Sequence, residues 1–102
     1  ALKRQLPQAE VYVAEENQVI SGFIGLHQGH IEGLFVLPMH QNKGIGTALI
    51  QLCQQKYQAL SLYVYEQNQE AIAFYKKLGF HRDQSKVEEH TGEMECFMVW
   101  NR

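Results

Sequence analysis

The sequence has no surplus of positive charge. Nine Lys and Arg stand against eleven Asp and Glu, a formal net charge of −2, so no basic footprint for nucleic acid is present. It has no long apolar run, and none of its stretches approaches the ~20 residues that span a bilayer. Ala1-Leu2-Lys3-Arg4-Gln5 is not followed by the apolar core of a signal peptide. Cysteine is scarce: Cys53 falls on the apolar stripe of a predicted helix and Cys96 within a predicted strand. Both read as buried reduced thiols, the alternative being a disulfide, and reduced thiols point to the cytoplasm. His27, His30, His40, His81 and His90 are scattered, and no Cys/His spacing resembles a zinc site. Repeats, low-complexity stretches and interdomain linkers are absent. A chain of 102 residues holds one compact domain but not two. It begins with Ala rather than Met, which fits either processing or missing upstream sequence.

What is present is an apolar fraction of 45%, enough to bury a core and too much for disorder. Residues 1 to 8 are polar, carry Pro7 and read as a loose lead-in. Ala9 to Glu15 alternates with the period of two of a strand, and Glu16-Asn17-Gln18 reads as a tight turn. Val19 to His27 is a second strand, with Gly22 and Gly25 weakening it or marking a bulge, and Gln28-Gly29 a second hairpin turn. Ile31 to Leu37 is a third, ended by Pro38. Short turns between three strands predict an antiparallel meander. From about Gly44 to Tyr57, the residues Ile45, Ala48, Leu49, Leu52 and Cys53 make one apolar helical face. Leu60 to Tyr65 has no polar alternation, the pattern of a strand buried on both faces, so the helix before it reads as a right-handed βαβ crossover. Asn68 to Leu78 is a second helix, with Asn68 as N-cap, Glu70 in its first turn, an inner face of Ala71, Phe74, Tyr75 and Leu78, and Gly79 as its stop. Phe80 to His90 and Glu93 to Trp100 are two strands around Thr91-Gly92. The order is β-β-β-α-β-α-β-β.

The chemistry concentrates where the third strand meets the first helix, from Val36 to Leu49. Gly44 and Gly46 let a ligand approach the backbone. The first N–H groups of the helix lack intrahelical partners and favour phosphate. A P-loop is excluded, because no Lys-Ser/Thr follows the glycines.

Gln41-x-x-Gly44-x-Gly46 resembles the acyl-CoA pyrophosphate loop of the GNAT N-acetyltransferases, whose pattern is Gln/Arg-x-x-Gly-x-Gly/Ala. Asn68-x-x-Ala71-x-x-Phe74-Tyr75-x-x-Leu78-Gly79-Phe80 resembles that family's second signature, in the family's order and near its separation. The resemblance covers roughly residues 9 to 101. It implies an α/β (α+β) fold with a mixed, mostly antiparallel sheet and a central splayed parallel strand pair. It also implies transfer of an acetyl group from acetyl-CoA to an amine of a small molecule or protein by direct attack, without a metal. The alternative is a non-catalytic acyl-CoA-binding domain, or an incomplete fragment needing a partner.

By the same resemblance, backbone N–H groups from Gln41 through Asn42, Lys43, Gly44, Ile45 and Gly46 to Thr47 hold the pyrophosphate. The pantetheine arm then runs along the backbone of Phe35, Val36 and Leu37 like an added strand. Tyr75 is the candidate general acid for the departing thiolate, set against a plain core tyrosine. Asn68 is either an N-cap alone or a cap that also meets the cofactor arm. The base stays open among Glu32, His27 and His30, with Glu32 favoured because family members carry a carboxylate on that strand. The family's usual N-terminal strand and helices have no counterpart here. The strand at Ala9–Glu15 is then expected to present an open edge, with a homodimer as one consequence.

Overall fold

The computed structural model describes residues 2–6, 9–41, 44–87 and 92–102, and for 2–6 and 84–87 the backbone alone. Asn42, Lys43, His90 and Thr91 therefore lie outside the described residues. The elements run β1 (Leu2–Leu6), β2 (Ala9–Glu16), β3 (Val19–His27), β4 (His30–Val36), a 3₁₀ turn (Pro38–His40), α1 (Ile45–Lys56), β5 (Ala59–Tyr65), α2 (Gln69–Lys77), β6 (His81–Val87) and β7 (Met94–Asn101). The strands form one sheet in the order β1-β2-β3-β4-β5-β7-β6. Among the described residues only β4 and β5 are parallel; the other neighbours pair antiparallel. The mixed sheet with a central parallel pair is the architecture that the resemblance implied. No helix among the described residues is long and apolar enough to cross a membrane.

The meander forms because its turns suit its twist. Asn17 and Gln18 both have positive φ, as do Gln28 and Gly29, the backbone that two-residue hairpins require. The first correction concerns what precedes the meander. Leu2–Leu6 pairs with β2 in antiparallel register from Leu2↔Val13 to Leu6↔Ala9. The edge expected to be open at Ala9–Glu15 is covered, and the argument for a homodimer through it falls away. Strand pairing is made by backbone groups, so the polar sequence Lys3-Arg4-Gln5 does not forbid it.

Both helices pack on one face of the sheet, where the core lies. It comprises Tyr12, Ile24, Leu26, Ile31, Leu60, Leu62, Val64, Cys96 and Met98 from the strands, Leu49, Ile50 and Cys53 from α1, Ile72 from α2, and Phe80 from the turn after α2. Cys53 and Cys96 are buried free thiols, as anticipated. The inner face of α1 departs from the expected stripe: Ile50 is fully buried while Ala48 is exposed. Gly46 lies on the same inward face, near Phe74, Val36 and Leu34. It faces inward, so the next inward positions are Leu49, Ile50 and Cys53, one turn and two turns on. Alternate residues of β5 also correct an expectation. Leu60, Leu62 and Val64 are buried, but Tyr63 is 43% exposed, so the strand is covered on one face only. Phe23 and Phe35 stand on the same uncovered face, 41% and 46% exposed.

The rotation of α1 has a direct test. Ile50→Ala is expected to cost ~2–5 kcal/mol, the range for emptying a packed core site. Ala48→Lys, on the exposed side, is expected to stay within about 0.5 kcal/mol of the parent. Urea unfolding of the two variants measures both, and the reverse order would mean that the helix sits with Ala48 inward.

Candidate active site

A cleft of about 600 Å³ opens between the end of β4, the start of α1 and the start of α2. Its origin is the parting of β4 from β5. The two strands share a single register pair, His30↔Ser61. Ser61 N–H donates to the Gly29 carbonyl at 3.0 Å, and His30 Nδ1 lies 2.8 Å from the Ser61 hydroxyl. Beyond that rung no pairing joins the strands. On the other side of β4 the ladder with β3 continues, and Leu37 N–H donates to Ser21 O at 2.8 Å. Antiparallel bonding alternates along a strand, so Phe35 and Leu37 direct their backbone groups to β3 while Leu34 and Val36 direct theirs into the gap. Leu34 and Val36 line the cleft; Phe35 and Leu37 do not.

The chain leaves β4 through the 3₁₀ turn begun by Pro38. Gln41 N–H donates to Pro38 O at 3.3 Å, and its side-chain Nε2 donates to Val36 O at 3.2 Å, which folds the turn back over the strand end. Gly44 then takes φ 80°, a left-handed conformation, and caps α1 without any side-chain hydrogen bond. The first intrahelical bond runs from Ala48 N–H to Gly44 O at 2.9 Å. Ile45, Gly46 and Thr47 thus begin the helix with N–H groups that have no acceptor among the described residues. They line the cleft with Gly44 and Gln41. A Cβ on Gly46 would lie 3.4 Å from the Phe74 ring and 3.8 Å from Val36, so glycine there keeps the cleft floor flat rather than relieving a clash.

The opposite wall comes from α2. The Asn68 side chain accepts from Ala71 N–H at 3.1 Å, so its N-cap role is real, and the same residue lines the cleft. Tyr75 lines it too, beside Phe74, with ring centroids 5.1 Å apart. The position of Tyr75 is fixed by the way α2 ends. Phe80 N–H donates to Tyr75 O and Gly79 N–H to Lys76 O, both at 3.0 Å, with Gly79 at φ 98°. This is a Schellman motif, and its customary apolar contact is the Tyr75–Phe80 ring pair, 5.5 Å apart. Trp100 of β7 packs on the turn, 3.1 Å from where a Cβ on Gly79 would sit. Burial raises the Tyr75 pKa, so the phenol keeps its proton throughout the neutral range.

Glu32 does not line the cleft. It is exposed, and it is the extra residue of a bulge between the rungs Leu26↔Ile31 and Gly25↔Gly33. His27 and His30 are also outside the cleft. His30 instead packs with Tyr63 and Phe97, ring centroids 5.4 and 6.4 Å away. Sequence reasoning missed His40 and Glu70, which both line the cleft. His40 Nδ1 lies 3.6 Å from the Glu16 carboxylate, an ion-pair distance when the ring is protonated and too long for a hydrogen bond. Its place two residues after Pro38, inside the turn, was the available signal. Glu70 is an acidic first-turn residue of α2 that the fold turns toward the cleft.

The arrangement can bind an anion at the α1 N-terminus, lay an extended chain against Leu34 and Val36, and present a phenolic proton at the far wall. Comparison with known proteins agrees in kind. Residues 7–82 match the family model described as "Acetyltransferase (GNAT) domain". Peptidyl-lysine N-acetyltransferase YiaC of Escherichia coli (strain K12) is 36% identical over 96 residues, covering 93% of this chain and 66% of that protein. Peptidyl-lysine N-acetyltransferase YjaB of the same organism is 38% identical over 77 residues, covering 74% of this chain and 52% of the relative. The chain thus spans about two thirds of the first relative and about half of the second. Among solved structures, a GNAT family acetyltransferase from Elizabethkingia anophelis with acetyl-CoA bound superposes with a TM-score of 0.81 at 20% identity, over 93% of this chain and 77% of that one.

The Schellman turn is testable apart from any activity. Gly79→Ala meets both a left-handed backbone and the Trp100 ring, so a loss of at least ~1–2 kcal/mol is expected. Gly46→Ala meets ordinary contacts on a helix and is expected to be neutral or stabilising by up to ~1 kcal/mol. Thermal unfolding of the pair checks this; equal melting temperatures would count against the turn.

Proposed function

The chain belongs to the GNAT acetyltransferase family, and from that premise we propose that it is an acetyl-CoA-dependent N-acetyltransferase whose acceptor is the ε-amine of a protein lysine. The observation that carries this reading is the meeting, in one cleft, of uncapped helix N–H groups and a half-buried phenol. The lysine acceptor is taken from the relatives named peptidyl-lysine N-acetyltransferase. The co-substrate is taken from a neighbour that holds acetyl-CoA.

The residues suit that co-substrate. Its diphosphate would be held by the N–H groups of the Gln41–Thr47 turn, Asn42 and Lys43 included, where the helix dipole adds its positive end. Gly44 gives the turn its shape, and Gly46 leaves the space. The amide-bearing pantetheine arm would lie along Leu34 and Val36, whose backbone groups have no partner on β5. This shifts the expected track by one residue, since Phe35 and Leu37 face β3. When bound, acetyl-CoA supplies an acetyl thioester, activated for attack by a neutral amine. Tyr75 holds a proton that it can give to a departing sulfur, and burial keeps that proton in place. Glu32 lies on β4 outside the cleft, so as a base it would act from the uncovered sheet face on the amine before attack. The buried free thiols of Cys53 and Cys96 suit a reducing compartment, and we assign the protein to the cytoplasm on that ground.

Two measurements test the reading. Gly46→Val puts a branched side chain against Phe74, Val36 and Leu34 at the cleft floor. It is expected to abolish CoA binding in calorimetry while the fold survives; unchanged affinity would remove the turn from the site. Tyr75→Phe keeps the ring packing and removes only the hydroxyl. A fall in kcat of ~10²–10⁴-fold is expected, with CoA affinity and melting temperature little changed. In the parent, any alkaline loss of rate due to Tyr75 belongs above pH 10, its ordinary pKa, because burial raises it. A Tyr75→Phe enzyme that turns over like the parent would leave Tyr75 a packing residue.

A further inference from the structure

His40 stands where the cleft meets the hairpin behind it. It is the last residue of the 3₁₀ turn and lines the cleft beside Gln41 and Gly44. Its Nδ1 is shut off from solvent and has no hydrogen-bond partner among the described residues. The group it faces, 3.6 Å away, is the carboxylate of Glu16 at the end of β2. A buried polar atom without a bond is costly, and a nitrogen turned toward a carboxylate is best satisfied when it carries a proton. The His40 side chain is 18% exposed and that of Glu16 46%, so the pair reaches solvent at its carboxylate end, where a proton can come and go.

The hydrogen bonds of this turn are local. His40 N–H donates to Leu37 O at 2.8 Å, Gln41 N–H to Pro38 O at 3.3 Å, and Gln41 Nε2 to Val36 O at 3.2 Å. All three stay within the turn and the strand it leaves. The contact with Glu16 ties the turn to a different strand, the one that ends at the Asn17-Gln18 hairpin. Downstream, Gly44 enters α1 with no side-chain cap. The N–H groups that would hold the diphosphate therefore take their position from a short turn, and the His40–Glu16 contact braces that turn from outside.

We infer that His40 and Glu16 form a proton-dependent brace that sets how tightly the cleft holds a diphosphate; the inference rests on the acetyl-CoA reading. His40 is a positioning residue, acting through the turn and through its charge. Charged, the ring pairs with Glu16, fixes the turn and puts a positive charge at the edge of the anion site. Neutral, it leaves the Glu16 carboxylate unopposed behind that site, and the repulsion works against the anion. Imidazole is the side chain that ordinarily changes charge between about pH 5 and 8. The brace is thus present at the acid end of that range and lost as the pH rises. By linkage, the anion in the cleft and the proton on the ring favour each other. The other titratable groups that line the cleft among the described residues are Glu70 and Tyr75, both on α2. Lys43 lies outside the described residues.

Calorimetry with 3′-dephospho-CoA tests the brace. That probe keeps the diphosphate and lacks the 3′-phosphate, which itself titrates near neutral pH. The parent chain is expected to bind it about fivefold more tightly at pH ~5.5 than at pH ~8, the upper worth of an ion pair that reaches solvent. His40→Asn and Glu16→Gln are each expected to bind at both pH values as the parent does at the higher one, with little change in melting temperature. His40→Lys keeps a cation throughout the range and is expected to bind at both as the parent does at the lower, a rescue that a merely structural histidine would not show. Equal parent affinity at the two pH values overturns the brace and leaves the acetyltransferase reading intact. So does a His40→Asn or Glu16→Gln variant that keeps the parent's pH dependence, or a His40→Lys variant as weak as His40→Asn. A parent chain that binds neither dephospho-CoA nor acetyl-CoA at either pH overturns the acetyl-CoA reading, and the brace with it.

Discussion

Two neighbouring strands that stop bonding to each other are the constraint on which the rest depends. β4 and β5 share one register pair, His30↔Ser61. A polar backbone group buried without a partner costs ~1–3 kcal/mol, so the gap along Leu34 and Val36, where among the described residues only the Val36 carbonyl has a side-chain donor, Gln41, stays open to solvent or takes a ligand that can bond to the strand. The connection from β4 to α1 converts that gap into a site. Pro38 ends the strand, the turn over Gln41 folds back, and Gly44 aims the first N–H groups of α1 across the opening. α2 closes the far side with Asn68, Phe74 and Tyr75.

A helix end can face an anion accurately only if the helix cannot shift along its axis, and α1 is held at its other end. The Arg102 guanidinium donates to the carbonyls of Gln54, Gln55 and Tyr57 at 2.5, 2.9 and 3.4 Å, a cation at the negative end of the dipole. Gln54 Nε2 donates to Leu78 O at 2.8 Å and couples α1 to α2. Glu10 of β2 receives the Tyr12 hydroxyl and also interacts with that of Tyr57, and burial together with this carboxylate pushes the Tyr12 phenol up to about 12. Cys53 lies beneath, its thiol pushed up to about 11 by burial, so it serves as a small apolar residue rather than a nucleophile.

The strand and helix order was legible because it is written in periodicity and in turn residues, and the cleft because Gly44, Gly46, Asn68, Tyr75 and Gly79 each occupy a position with a specific backbone or packing demand. What could not be read has physical reasons. β1 is held by backbone pairing, which leaves no mark on side-chain pattern. The run Ala48-Leu49-Ile50 is apolar throughout, so periodicity alone could not say which two of the three face inward. Tyr63 counts as apolar in a hydrophobic run, yet a phenol tolerates solvent, and the one-sided burial of β5 was hidden by that. Glu32 could be placed on a strand but not in a bulge, since a bulge shows itself only against a partner strand. His40 and Glu70 reach the cleft through tertiary placement.

The position of β7 has a kinetic consequence. It follows β6 in sequence, yet it lies between β5 and β6, and its Trp100 rests on the Gly79 turn that orients Tyr75. During synthesis both signature segments and β6 leave the ribosome before the strand that separates β5 from β6 exists. Until Met94–Asn101 inserts, β6 has no neighbour and the phenol-bearing helix has nothing under its end. Pairings between segments distant in sequence carry the larger loop-closure cost and form late. A partly synthesised chain can thus gather its meander and crossover helix early, but the far wall of the cleft is held in place only in a later step, when one strand intercalates.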